Sequence, residues 1–216
     1  MHQIKIVFIL FLLGFIPYVK AQEPEDYIEF NDRKNTVHGV YLGLSTYYGK
    51  IKKKDTYSAS LKIAYVANQQ FEIGFEGITL YSDFNNQGLS DSNNDLVALY
   101  GGLHLEPILF SKSKLNLSFP LLVGGGAAAI LEDHTNDYII DHEDWEAVFV
   151  LEPGVNLLFN LNRYVQLEAG VKHRFSSRLS FNNSPISRIN GFSVGLGVKV
   201  GVFNMGRNRY KKKNHV

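Results

Sequence analysis

Along most of this chain apolar positions alternate with small, polar or charged ones at a period of two. The longest run covers 191–203, where Phe192, Val194, Leu196, Val198, Val200 and Val202 are separated by Ser193, Gly195, Gly197, Lys199 and Gly201. This is strand periodicity, sustained well beyond the usual length of about five or six residues. The same alternation fills 36–49, 57–66, 71–81, 96–106, 114–130, 149–161 and 164–175. Strands of roughly ten residues suit a tilted crossing of a bilayer. An even number of them closes an antiparallel ring with both termini on one side. The pattern predicts an all-β fold, a closed antiparallel eight-stranded transmembrane β-barrel over 36–203.

The connections alternate too. Segments 67–70, 107–113 and 162–163 are short, whereas 82–94, 131–146 and 176–190 are long and polar, and 50–55 is short and rich in lysine. Short turns on the periplasmic side and longer loops outside are the membrane-barrel arrangement. Which face sees lipid follows from cost, because Lys or Arg on the lipid face near the midplane costs about 2–4 kcal/mol. The face bearing Lys62, Glu72, Glu76, Glu106, Glu152, Glu168, Lys172, Arg174 and Lys199 is therefore expected to point inward. Those four basic and five acidic groups nearly cancel, and an eight-stranded barrel is just wide enough for side chains to fill it. The expectation is a luminal charge network forming a polar plug. Tyr57, Tyr65, Tyr81, Phe71, Phe175 and Tyr164 fall near strand ends, where interfacial aromatics sit.

The ends of the chain differ from its body. Residues 1–21 have a basic start, an apolar run from Ile6 to Ile16, and small residues at Val19 and Ala21. They are expected to be a signal peptide cleaved after Ala21. Its removal takes away Lys5 and Lys20 and leaves a nearly neutral chain, which gives no bulk charge for nucleic acid. Segment 22–35 is expected to be an acidic periplasmic arm and 204–216 a basic periplasmic tail. With no cysteine, disulfides, thiolate metal sites and a lipidated cysteine are all excluded. A mean hydropathy of −0.10 suits a barrel, in which half of every strand faces away from lipid.

From Phe149 the chain carries Glu152-Pro153-Gly154, an Asn-x-Asn-Arg-Tyr turn at Asn160–Tyr164, then Leu-Glu-Ala-Gly and Arg-Phe, and finally the glycine-alternating strand at 191–203. These features resemble a family of uncharacterised outer-membrane β-barrel proteins of Gram-negative bacteria. The resemblance covers roughly the last third of the chain well. It implies a small barrel in the outer membrane, in contact with outer-membrane lipid and lipopolysaccharide, and it brings no known activity. His173, where an aromatic is more usual, and the basic tail after Phe203 depart from the pattern.

Candidate chemistry is sparse, and no catalytic, cofactor or metal residue is assigned. His173 with Ser176 and Ser177 invites comparison with outer-membrane lipid A deacylases. The His-x-x-Ser spacing, however, sets His173 and Ser176 on opposite faces of a continuous strand, and a nucleophile must lie within hydrogen-bond reach of its base. The acidic loop with Asp133, His134, Asp137, Asp141, His142, Glu143 and Asp144 lacks the regular ligand spacing of a calcium loop. Lys50, Lys52, Lys53 and Lys54 form a basic cluster beside anionic lipopolysaccharide groups. The reading is an outer-membrane protein of structural or surface-interaction type, with extracellular or periplasmic partners unassigned. A lipid-modifying enzyme and a narrow solute channel are the functional alternatives, and a soluble lipocalin-like barrel is the alternative fold.

Overall fold

The computed structural model describes residues 37–83, 93–111, 113–133, 145–181 and 186–205. The expected signal peptide and acidic arm lie outside these residues, as do most of the basic tail and of the acidic loop. Nine strands follow one another: β1 (His38–Ile51), β2 (Lys54–Ala67), β3 (Phe71–Asp83), β4 (Asn93–Leu109), β5 (Leu115–Ser118), β6 (Leu121–Asp133), β7 (Glu146–Asn160), β8 (Val165–Ser176) and β9 (Gly191–Met205). All pairings are antiparallel, and β1 pairs with β9 to close the ring. β5 and β6 both lie between β4 and β7, so they are two pieces of one stave and the ring has eight.

That division corrects the single strand expected over 114–130. Phe119 and Pro120 interrupt it, yet the register with both neighbours is the same on either side of the break. Pro120 cannot donate to the ladder, and Pro107 in β4 and Pro153 in β7 sit close by in the two neighbouring staves. What bonds remain use proline carbonyls, with Phe119 N donating to Pro107 O at 3.0 Å and Gly154 N to Pro120 O at 2.8 Å. Pro107 belongs to β4 instead of the following turn, because that strand continues to Leu109.

The registers fix the stagger. A path across the registers from Gly39 runs through Val66, Glu72, Glu106, Pro120 in the break between β5 and β6, Gly154, Lys172 and Ser193, and meets β1 again at Gly49, ten residues further on. A stagger of that size in eight staves requires tilted strands, typically by about 35–45°.

Burial follows the alternation. Along β1 and β2 exposed and buried positions alternate almost without exception. The outward set includes Leu42, Leu44, Leu61, Ile63, Phe75, Leu99, Leu157 and Leu196, each at least half exposed, a wall no water-soluble protein would present. Tyr48, Tyr57 and Tyr81 are register partners across β1, β2 and β3 toward one end of the ring. Tyr65, Phe71 and Tyr164 lie outward toward the other. Two aromatic girdles with an aliphatic band between them are the exterior of a transmembrane barrel. A lipocalin-like barrel would turn its apolar face inward, so this exterior removes that alternative fold.

The closing seam is shaped by two glycines. Tyr41 is paired with Gly201 and Tyr47 with Gly195. Both tyrosines are buried inside, and a methyl on Gly195 would overlap the Tyr47 ring and the Thr46 carbonyl. Ring over glycine is a known way to pin strand register. Gly195→Ala is expected to destabilise the barrel by about 1–3 kcal/mol through overpacking. Urea titration of the folded band on unboiled gels measures it, and a variant with an unchanged midpoint would deny the seam that role.

Candidate functional site

Each of the nine inward-expected charges is at most 4% exposed and lies inside the ring. Most of them form one continuous network. Lys199 Nζ lies 2.9 Å from Glu72 Oε2, 3.0 Å from Glu106 Oε2 and 3.6 Å from Glu168 Oε2. Lys62 Nζ lies 3.4 Å from Glu168 Oε2 and 3.6 Å from Glu106 Oε2. Lys172 Nζ reaches Glu76 Oε1 at 3.0 Å. Nearer the long connections, Arg174 Nε donates to Glu152 Oε1 and, at 2.7 Å, to the Tyr100 hydroxyl, which itself donates to Glu152. Buried charges are tolerated when they are paired and their remaining hydrogen-bonding positions are filled.

Neutral groups supply much of that filling. Tyr41 donates to Glu72 and Ser45 to Glu168, while Ser118 Oγ donates to Glu106 Oε1 at 2.5 Å. Lys172 lies over the Tyr47 ring at 4.4 Å and Lys199 over the Tyr41 ring at 5.0 Å, so the seam tyrosines also face the ammonium groups.

One member escapes a reading based on Asp, Glu, Lys and Arg. His104, fully buried, has Nδ1 at 3.1 Å from Glu76 Oε2 and Nε2 at 2.9 Å from Glu106 Oε2. The Nε2 contact with Glu106 is a hydrogen bond, whereas Nδ1 and Glu76 Oε2 approach each other without forming one. The signal was present in the sequence, since His104 is in phase with Glu106 on the inward face of β4. Glu72, His104 and Glu106 are also close enough together to ligate a metal, but Lys199 Nζ already contacts both glutamates.

The lumen is not polar throughout. Toward the long connections it becomes a hydrophobic core of Ile51, Ile78, Leu80, Leu96, Ala98, Leu122, Val148 and Val150. This core is closed by Leu179, Ile186 and Ile189 from the connection between β8 and β9, all at most 4% exposed. The sequence predicts a polar loop there, and these buried apolar side chains correct it. Ser176 anchors it, because its hydroxyl accepts from Ile189 N at 2.9 Å and bonds Asn190 Oδ1 at 3.1 Å. Ile189→Asn is expected to release the cap and raise trypsin cleavage at the exposed Arg178 and Arg188 about tenfold, the factor for 1.4 kcal/mol of lost local anchoring. Unchanged cleavage would mean that the cap is held by something else.

The remaining candidates separate. His173 lies on the outer side, its ring 4.3 Å from that of Phe175 and 4.2 Å from that of Phe192. Ser176 bonds inward and Ser177 Oγ accepts from Phe149 N at 3.0 Å. The structure does not bring His173 to either serine. The acidic residues His134 to Asp144 lie outside the described residues. Lys52 and Lys53 form the two-residue tip between β1 and β2, both with positive φ (46° and 71°). Lys50 pairs with Asp55 at 3.7 Å on the stem below.

No family model matches the chain, and neither does any curated protein. Among solved structures the chain is similar to Neisserial surface protein A, with a TM-score of 0.52 at 10% identity over 76% of this chain and 96% of that one. It is also similar to Ail, the attachment invasion locus protein of Yersinia pestis, in complex with the heparin analogue sucrose octasulfate. There the TM-score is 0.44 at 16% identity, over 77% of this chain and 99% of that one. At such identities the likeness speaks to the fold alone. That fold is the small eight-stranded barrel of Gram-negative outer-membrane proteins, the type implied by the sequence resemblance.

Proposed function

We propose that the protein spans the outer membrane as a filled, non-conducting barrel and acts as a structural or surface-interaction protein through its longer connections. The observation that carries this reading is the combination of an apolar outer wall with an interior occupied from end to end. Phe203 packs on Tyr41, Ala64 and Val66 near the start of β1 and the end of β9, the charge network fills the middle, and Leu179, Ile186 and Ile189 close the far end. A solute channel would need a polar path past those three side chains, and a lipid hydrolase would need a base beside its nucleophile. In this reading the connections 67–70, 107–113 and 162–163, the acidic arm and the basic tail are periplasmic, signal cleavage follows Ala21, and the lysine hairpin and the long connections face outward, where lipopolysaccharide is the nearest neighbour.

The test is fractionation with gel mobility, boiled against unboiled in detergent, followed by planar-bilayer recording of the purified barrel. Outer-membrane location, a heat-dependent mobility shift and no steady conductance are expected. A soluble periplasmic band without a shift would overturn the membrane reading, and a stable ohmic conductance would overturn the filled lumen.

A further inference from the structure

The outer wall is not smooth. Between β1 and β7, the small outward side chain of Ala169, set between Leu157 and Leu196, leaves a depression of about 750 Å³ on the lipid-facing side, within the roughly 300–1,000 Å³ typical of small-molecule pockets. Its flanks are aliphatic, and its upper end is formed by Tyr48 and Tyr57, whose rings lie 5.4 Å apart. The charged stem stands next along the same strands. Lys50 follows Tyr48 on the outward face of β1, Asp55 precedes Tyr57 on β2, and Tyr48 donates to Asp55 at 2.7 Å. Lys50, Lys52, Lys53 and Lys54 thus share one hairpin with Asp55 at the head of an apolar groove. Asn-Gly is the relaxed sequence for a two-residue hairpin with both φ positive. Two lysines occupy these positions at a backbone cost, of a kind that gathers at functional sites.

We propose that this groove is a lipid site, holding an acyl chain of a phosphate-bearing membrane lipid whose headgroup rests against the lysine hairpin. The inference rests on the membrane reading above and adds the site and the ligand class. The two halves of the ligand match the two halves of the site. A hydrocarbon chain lies along the wall between Leu157 and Leu196, over the floor made by Ala169. The phosphate meets ammonium groups at the interface, where basic side chains draw anionic lipids. A zwitterionic lipid with the same chains would fill the groove without that second contribution.

Native mass spectrometry of the detergent-purified full chain tests it, with dioleoyl phosphatidic acid and dioleoyl phosphatidylcholine as probes. The wild type is expected to retain the phosphatidic acid preferentially. Lys50→Gln, Lys52→Gln and Lys53→Gln together should reduce that preference by about fivefold per lysine while leaving the phosphatidylcholine signal unchanged. Ala169→Phe fills the groove from the lipid side and should lose both adducts, and Ala169→Leu provides a milder second filling. The mobility shift on unboiled gels certifies each variant as folded, and its absence from the wild type would mark failure of the membrane reading instead. Equal retention of the two lipids by wild type, a preference that survives the triple substitution, or adducts that survive both groove fillings would each overturn the proposal.

Discussion

Glu106→Ala is expected to lower the stability of the barrel by about 3–5 kcal/mol, the usual cost of removing one partner from a buried ionic network. Glu106 is the junction of the lumen. Its two oxygens face Lys199 at 3.0 Å, Lys62 at 3.6 Å, His104 at 2.9 Å, Ser118 at 2.5 Å and Asn156 at 3.5 Å. Truncation leaves two ammonium groups and a ring nitrogen short of a partner at a site water does not freely reach. Glu106→Gln keeps the shape but still loses the charge. Combining Glu106→Gln with Lys62→Met removes one cation as well and should recover part of the loss, which separates charge balance from packing. Urea midpoints of the heat-modifiable band, with slopes checked for constancy, measure all three. A Glu106→Ala barrel within about 1 kcal/mol of wild type would mean that the network fills the lumen without holding it together.

Leu44→Arg should cost about 2–4 kcal/mol in a bilayer, while Leu161→Arg should cost about 0–1 kcal/mol. Both residues are exposed, at 60% and 53%, so burial does not distinguish them. Position does, because Leu44 lies mid-strand on the lipid-facing wall and Leu161 in the turn between β7 and β8. The comparison therefore reads the membrane environment directly. Equilibrium unfolding from liposomes measures both, and equal costs would contradict the depth assignment. Ser193 would be a poor control, since its side chain is buried inside the ring.

The strands and their two faces were legible in the sequence because a membrane barrel separates lipid from lumen residue by residue. The energetic penalty on exposed charge then sorts the faces without any knowledge of pairing. What escaped depends on contacts between distant segments. Around Leu96–Leu99 and Ala147–Leu151 both faces are apolar, so alternation alone cannot reveal that Leu96, Val148 and Val150 line a hydrophobic upper lumen. Their cover comes from Leu179, Ile186 and Ile189, which look like isolated apolar residues in a polar connection. His104 shares the inward face of β4 with Glu106, which it hydrogen-bonds, but its approach to Glu76 depends on the pairing with β3. Pro120 was a readable warning of a broken ladder, but the apolar positions continue in phase through it from Leu115 to Val123.

The two tyrosine–glycine pairings where β1 meets β9 bear on how the chain assembles. These strands are the first and last of the barrel to be synthesised, and until they meet the sheet has two open edges. A slip of two residues at closure would set Tyr41 against Lys199 and Tyr47 against Ser193, losing both the space for the rings and the ammonium that Tyr41 faces. Closure in register is thus favoured over a slipped seam. The first and last strands fit each other by shape, and a copy truncated before Gly201 or paired out of register would keep an unsealed edge.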